Sequence, residues 1–111
     1  MPTIAAVATA FHPDERLTAV VEAALKSCSR VVVVDNTPGG ETPPAARLRE
    51  LPGVTVLGDG RNRGLAGALN AGVAELTAPD ADGGVPDLVL FLDQDSVLTE
   101  DLVLGLAAHL D

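Results

Sequence analysis

The sequence predicts a three-layer α/β fold, a mainly parallel sheet of about four strands with helices on both faces. Two observations predict it. Short apolar runs rich in Val and Ala alternate with segments whose apolar residues recur at helical spacing. Polar residues then collect where each apolar run stops, as in a sheet buried on both faces whose loops project from the strand ends. Strands alternating with helices need crossover connections, and these are right-handed and place the strands parallel.

Thr3-Ile4-Ala5-Ala6-Val7-Ala8-Thr9 is the first such run, bounded by Ala10-Phe11-His12-Pro13. After it, Leu17, Val20, Val21, Ala24 and Leu25 fall on one helical face, with Asp14 and Glu15 placed to favour the positive N-terminal dipole. Val31-Val32-Val33-Val34 is the plainest strand, because four β-branched residues suit a pleated surface and fit a helix poorly. It stops at Asp35-Asn36. Pro38-Gly39-Gly40 and Pro43-Pro44 mark a loop, Ala45 to Leu51 a short helix, and Val54-Thr55-Val56-Leu57 a third strand closed by Gly58-Asp59-Gly60. Beyond Arg61-Asn62-Arg63-Gly64 a helix follows on Leu65, Ala68, Leu69, Gly72, Val73 and Leu76. Pro79 to Pro86 is a polar break, Asp87 to Leu92 a fourth buried strand, and Leu102, Val103, Leu106, Ala107 and Leu110 a last helix opened by Thr99.

The 111 residues fit one domain, and 47% hydrophobic content with a positive mean hydropathy predicts folding rather than disorder. Lys26 is the only lysine and the net charge is −9, so phosphate-backbone binding and nucleic-acid partners are disfavoured. The same charge repels any phosphorylated ligand unless a cation or oriented backbone N–H groups intervene. A lone Cys28 excludes an intrachain disulfide, and no apolar run approaches the roughly 18 residues of a spanning helix. A soluble, cytoplasmic chain is the expectation.

The carboxyl ends of the four strands hold the candidate chemistry. Asp93 and Asp95 follow a wholly apolar strand, and in extended chain their side chains point the same way. Such a pair can hold Mg²⁺ or Mn²⁺ and leave positions for a diphosphate; alternatively it starts a loop and caps a helix. Asp35 can accept from a ring N–H or a ribose hydroxyl and Asn36 can both donate and accept, although Asp-Asn is equally good turn chemistry. Gly64 lets backbone approach a ligand, Asn62 can serve a ligand or cap the helix, and Arg61 or Arg63 can reach phosphate. Asn70 is a mediocre helix former in a helix interior and a candidate for bonding to a neighbouring loop. Neither His12 nor His109 carries an assigned catalytic role.

In their order, the N-terminal strand and helix, Val33-Val34-Asp35-Asn36-Thr37, Asn62-Arg63-Gly64-Leu65-Ala66-Gly67-Ala68-Leu69-Asn70-Ala71-Gly72 and Phe91-Leu92-Asp93-Gln94-Asp95-Ser96 resemble the family-2 glycosyltransferases. Asp-Gln-Asp-Ser after an Asn-x-Gly-x-Ala helix is most similar to the rhamnosyltransferase branch. The resemblance implies the nucleotide-binding half of a GT-A fold, related to the Rossmann arrangement, and an inverting transfer from a dTDP-sugar or UDP-sugar. It implies that Ala10 and Phe11 line the nucleotide pocket, that Asp35 contacts the pyrimidine, that Asn62 and Gly64 lie near the nucleotide, and that Asp93 and Asp95 serve metal and diphosphate. Family members continue into further strands, an acceptor pocket and an acidic base, so a chain of this length is expected to be a donor-binding portion, inactive alone. The expected consequences are an unpaired sheet edge open to a second copy or a partner, and an intact enzyme able to work at the inner face of the membrane. Two alternatives accompany this reading. One is a non-catalytic nucleotide-sugar-binding or assembly module. The other is a haloacid-dehalogenase-like phosphatase with Asp93 as nucleophile, which the short stretch after Asp95 disfavours.

Overall fold

The computed structural model describes residues 2–79 and 83–96. Strand β1 (Ile4–Ala10), helix α1 (Arg16–Leu25), strand β2 (Arg30–Asp35), helix α2 (Pro43–Arg47), strand β3 (Val54–Leu57), helix α3 (Gly64–Thr77) and strand β4 (Leu88–Asp93) follow one another. The expected helix from Thr99 lies outside the described residues. Each boundary has a local cause. Asp14 and Glu15 precede α1 rather than forming its first turn, and Asp14 Oδ1 accepts the Arg16 N–H at 2.9 Å, one of the amides a helix start leaves free. Prolines occupy the first two positions of α2, where their missing N–H groups lose nothing, so it begins two residues before the expected Ala45. A single 3₁₀ turn, Leu48–Glu50, completes it. Helix α3 stops at Ala78, which turns extended (ψ 144°) because Pro79 follows.

Alternation along the two central strands sets the layers. Ala6, Ala8, Ala10, Val31 and Val33 face α1 and α2 and pack on Leu17, Val20, Val21, Ala24, Ala45 and Leu48. Ala5, Val7, Val32 and Val34 face the other way, against Ala68 and Leu76 of α3. Successive side chains of a strand point to opposite faces, so helices on both sides of β1 and β2 require unbroken apolar runs there. Small residues bring α3 close. A Cβ added at Gly72 would stand 2.4 Å from Val7 Cγ1, so only glycine lets the helix rest on the strand at this distance.

Among the described residues the sheet order is β3-β2-β1-β4 with every neighbouring pair parallel. The first two crossovers add strands on one side of β1. Helix α3 then carries the chain back across the sheet, contacting β2 and β1, to add β4 on the other side. Strand order therefore reverses between β1 and β4, the place where open α/β sheets leave a crevice beyond the strand carboxyl ends. Register levels those ends, pairing Ala10 with Asp35 and Thr9 with Asp93.

Candidate functional site

A cleft of about 510 Å³ opens at this reversal. Thr9, Ala10 and Phe11 at the exit of β1 form one wall, and Asp93, Gln94 and Asp95 at the exit of β4 form the opposite one. Asn36 from the β2 exit and Asn62, Gly64 and Leu65 at the start of α3 close the floor. Seven of the candidate residues from the sequence thus border one space, although they come from four separate segments. Asp35, Asn70, Arg61 and Arg63 do not.

The acidic pair is presented differently from the expectation. Strand β4 ends at Asp93, so Asp95 does not continue the pleat. Instead the Ser96 N–H donates to the Asp93 carbonyl at 3.2 Å, closing a four-residue turn with Gln94 and Asp95 at its centre. Ser96 also accepts the Asp93 N–H on its hydroxyl at 3.0 Å, so one side chain clamps the turn from both sides. Both carboxylates remain exposed on the cleft. Near Asp95 stands Arg16, held above its usual range by the hydrogen-bonded Asp14 carboxylate 3.1 Å away and, to a lesser extent, by the charge of Asp95.

Asp35 is 2% exposed and faces its own loop. Its Oδ1 accepts the Thr37 N–H at 3.0 Å, and its Oδ2 accepts both the N–H and the hydroxyl of Thr42, at 2.9 and 2.7 Å. Burial alone would push this carboxyl up, but the donors of Thr37 and Thr42 outweigh it and hold the group below the usual carboxylate range. Asn36 is likewise engaged: its Nδ2 donates to the Gly64 carbonyl at 3.1 Å and its Oδ1 accepts the Arg63 N–H at 3.3 Å. The exit of β2 is thereby tied to the start of α3. Asn62 Oδ1 accepts the Gly64 N–H at 2.8 Å in a turn just ahead of the helix, whose N-cap residue Arg63 has no side-chain cap bond, while Gly64 sits at φ +73°, a conformation that side chains disfavour.

Asn70 is exposed six residues into α3 and does not line the cleft. Arg61 and Arg63 flank the α3 start but donate to Asp59, at 2.9 and 3.1 Å, and Arg61 chiefly holds that carboxyl down at about 2. Four groups that shape the site had no assigned role in the sequence: Gln94, Ser96, Thr37 and Thr42. A Ser three residues after Asp93 is a legible turn signal. Gln94 offered no local one, since its partner, the Phe11 N–H 2.6 Å away, is 83 residues distant in sequence.

Residues 7–111 match the model of glycosyl transferase family 2, which is nearly the whole chain and includes every wall of the cleft. The chain belongs to glycosyl transferase family 2. No curated protein matches it significantly. Family membership agrees with the parallel α/β sheet and leaves the phosphatase alternative without support. For a family-2 glycosyltransferase the donor set at the β4 exit can be tested against a divalent cation. Two exposed carboxylates at one turn suit Mg²⁺ or Mn²⁺ completed by water and substrate phosphate, the usual manner of Mg²⁺ sites. Among the described residues no group of three or more His, Cys, Asp or Glu side chains could hold a metal.

Proposed function

We propose that the cleft binds the diphosphate of a nucleotide sugar, dTDP-rhamnose or a UDP-sugar, for transfer of the sugar to an acceptor hydroxyl. The observation that carries the reading is the convergence of the Asp93-Asp95 turn, the Phe11 wall and the Asn62-Gly64 helix start on one crevice at the strand-order reversal. Its volume of about 510 Å³ falls within the range of small-molecule sites. In this reading Asp93 and Asp95 hold a divalent cation, which when bound offsets diphosphate charge in a chain of net charge −9. Phe11 and Ala10 provide an apolar wall, and Asn62 and Gly64 set the backbone that the nucleotide meets. The acceptor oxygen forms its bond to the anomeric carbon as the bond to the diphosphate oxygen breaks; the electron pair leaves with the nucleoside diphosphate, and the hydroxyl proton passes to a general base, a role assigned to no residue of this chain. Asp35 supports the site through its loop.

Two wider elements belong to the same proposal. Strand β4 is one of the two outer strands of the described sheet and leaves Phe91 52% exposed, which supports pairing with a second copy or a partner. Sedimentation as a concentration-independent monomer would argue against it. Work in the cytoplasm, at the inner membrane face, is the setting a nucleotide-sugar donor suggests.

Titration calorimetry with dTDP-rhamnose and UDP-sugars, with and without Mn²⁺, tests the donor reading. Binding is expected to tighten at least tenfold with Mn²⁺ and to lose that gain in Asp95→Asn, while Mn²⁺ alone binds weakly. A folded chain that binds no nucleoside diphosphate under any of these conditions refutes it.

A further inference from the structure

We infer that Gln94 is a positioning residue that latches the aromatic wall of the cleft to the acidic turn, so that the turn's arrangement and the shape of the pocket are set together. The inference rests on the donor reading above and deepens it. Strand β1 ends at Ala10, and beyond it two successive backbone amides are held by side chains from the neighbouring strand exits. Gln94 Oε1 accepts the Phe11 N–H at 2.6 Å, and Thr37 Oγ1 accepts the His12 N–H at 2.8 Å. Thr37 is itself anchored by its N–H on Asp35. The segment is held away from a relaxed path, because His12 adopts φ +48°, a left-handed conformation uncommon for a residue with a side chain. Its ring meets that of Phe11 edge-on at 4.3 Å.

Phe11 is 48% exposed on the cleft, and among the described residues the one hydrogen bond from its own amide is that to Gln94. Gln94 is half-buried between the exposed Asp93 and Asp95, at the centre of the turn that Ser96 clamps. The carboxamide is well matched to the task. Its oxygen accepts an amide as a carboxylate would, without adding a third negative charge to the turn. Asp35 enters the same device from the other side, through Thr37 to His12, which gives it a part in the pocket that needs no direct contact with a base.

The test compares the wild type with Gln94→Met, which keeps length and removes the acceptor, and Gln94→Glu, which keeps an accepting oxygen. Three quantities are read: hydrogen exchange at the Phe11 amide, calorimetric affinity for dTDP and UDP with Mn²⁺, and the melting temperature. Gln94→Met is expected to speed Phe11 exchange and weaken nucleotide binding by about tenfold each, the worth of one hydrogen bond, with melting little changed. Gln94→Glu restores Phe11 protection. Wild-type protection or wild-type affinity in Gln94→Met overturns the inference, as does a large fall in its melting temperature, which would make the role structural. If the wild type binds neither nucleotide, the donor reading fails and takes this one with it; wild-type binding with unaltered Gln94→Met removes only the latch.

Discussion

Replacing Gly72 by Ala probes the contact that sets the distance between α3 and the sheet. In an ordinary helix interior the change would stabilise by about 1 kcal/mol through helix propensity. Here the new Cβ would lie 2.4 Å from Val7 Cγ1, 2.8 Å from Cγ2 and 3.2 Å from Cβ, so the nearest approach falls more than an ångström short of ordinary contact. Val7 cannot yield easily. It is completely buried in the central strand, and its β-branch leaves it few rotamers. The helix must lift instead, separating Ala68 and Leu76 from Val32 and Val34. Overpacking of this kind costs about 1–3 kcal/mol, and a clash this deep belongs near the upper end. Setting about 3 against the propensity gain of about 1 leaves a net loss of about 2 kcal/mol. The chain has no Trp or Tyr, so urea unfolding followed by far-ultraviolet circular dichroism is the suitable assay. Val7→Ala removes both offending methyl groups, and the double variant should recover at least about 1 kcal/mol relative to the sum of the two single changes. A Gly72→Ala protein more stable than the wild type, or a cycle with no coupling, would refute the reasoning.

The remaining predictions concern the two buried groups with shifted ionisation. Because the folded Asp35 carboxyl lies below its unfolded value near 3.8, its contribution is complete above that pH and is lost as pH falls through the lower folded value. Asp35→Asn should flatten this acid limb of the stability curve. At pH 7 it should cost about 1–3 kcal/mol, since an amide NH₂ cannot accept both donors of Thr42; an unchanged urea midpoint at pH 7 would contradict it. Cys28 is buried and its thiol is pushed up to about 11 by that burial. A thiol reagent at pH 8 should therefore label it only as fast as the chain opens, and rapid stoichiometric labelling of the native protein would show the packing to be wrong.

Much of the fold was legible because its signals are local. Leu17, Val20, Val21 and Ala24 lie within one helix, and their spacing alone put them on the face that α1 buries. Val31 to Val34 could only be comfortable in a strand, and all four are buried. The cleft was legible to the extent that acids, amides and glycines cluster at strand ends. Side-chain direction was not. The assumption that Asp93 and Asp95 share the pleat failed because the strand stops at Asp93 and a turn presents Asp95. Asn70, judged by its poor helix propensity, proved to be exposed on α3.

The amino-acid sequence by itself determined the order of the seven described strands and helices, the apolar faces of α1, β1 and β2, and that acids and amides would stand at the strand exits. Strand β4, expected to be buried, is an outer strand with only Leu92 fully covered. Periodicity, propensity and turn chemistry act over a few residues. Tertiary structure decided which of those polar groups meet. Asn36 binds the start of α3 from 27 and 28 residues away, Thr37 holds the His12 amide across 25 residues, and Gln94 reaches the Phe11 amide across 83. Those partners are chosen by the sheet order and register, with β1 between β2 and β4, and these long-range pairings brought the acidic turn and the aromatic wall into one cleft.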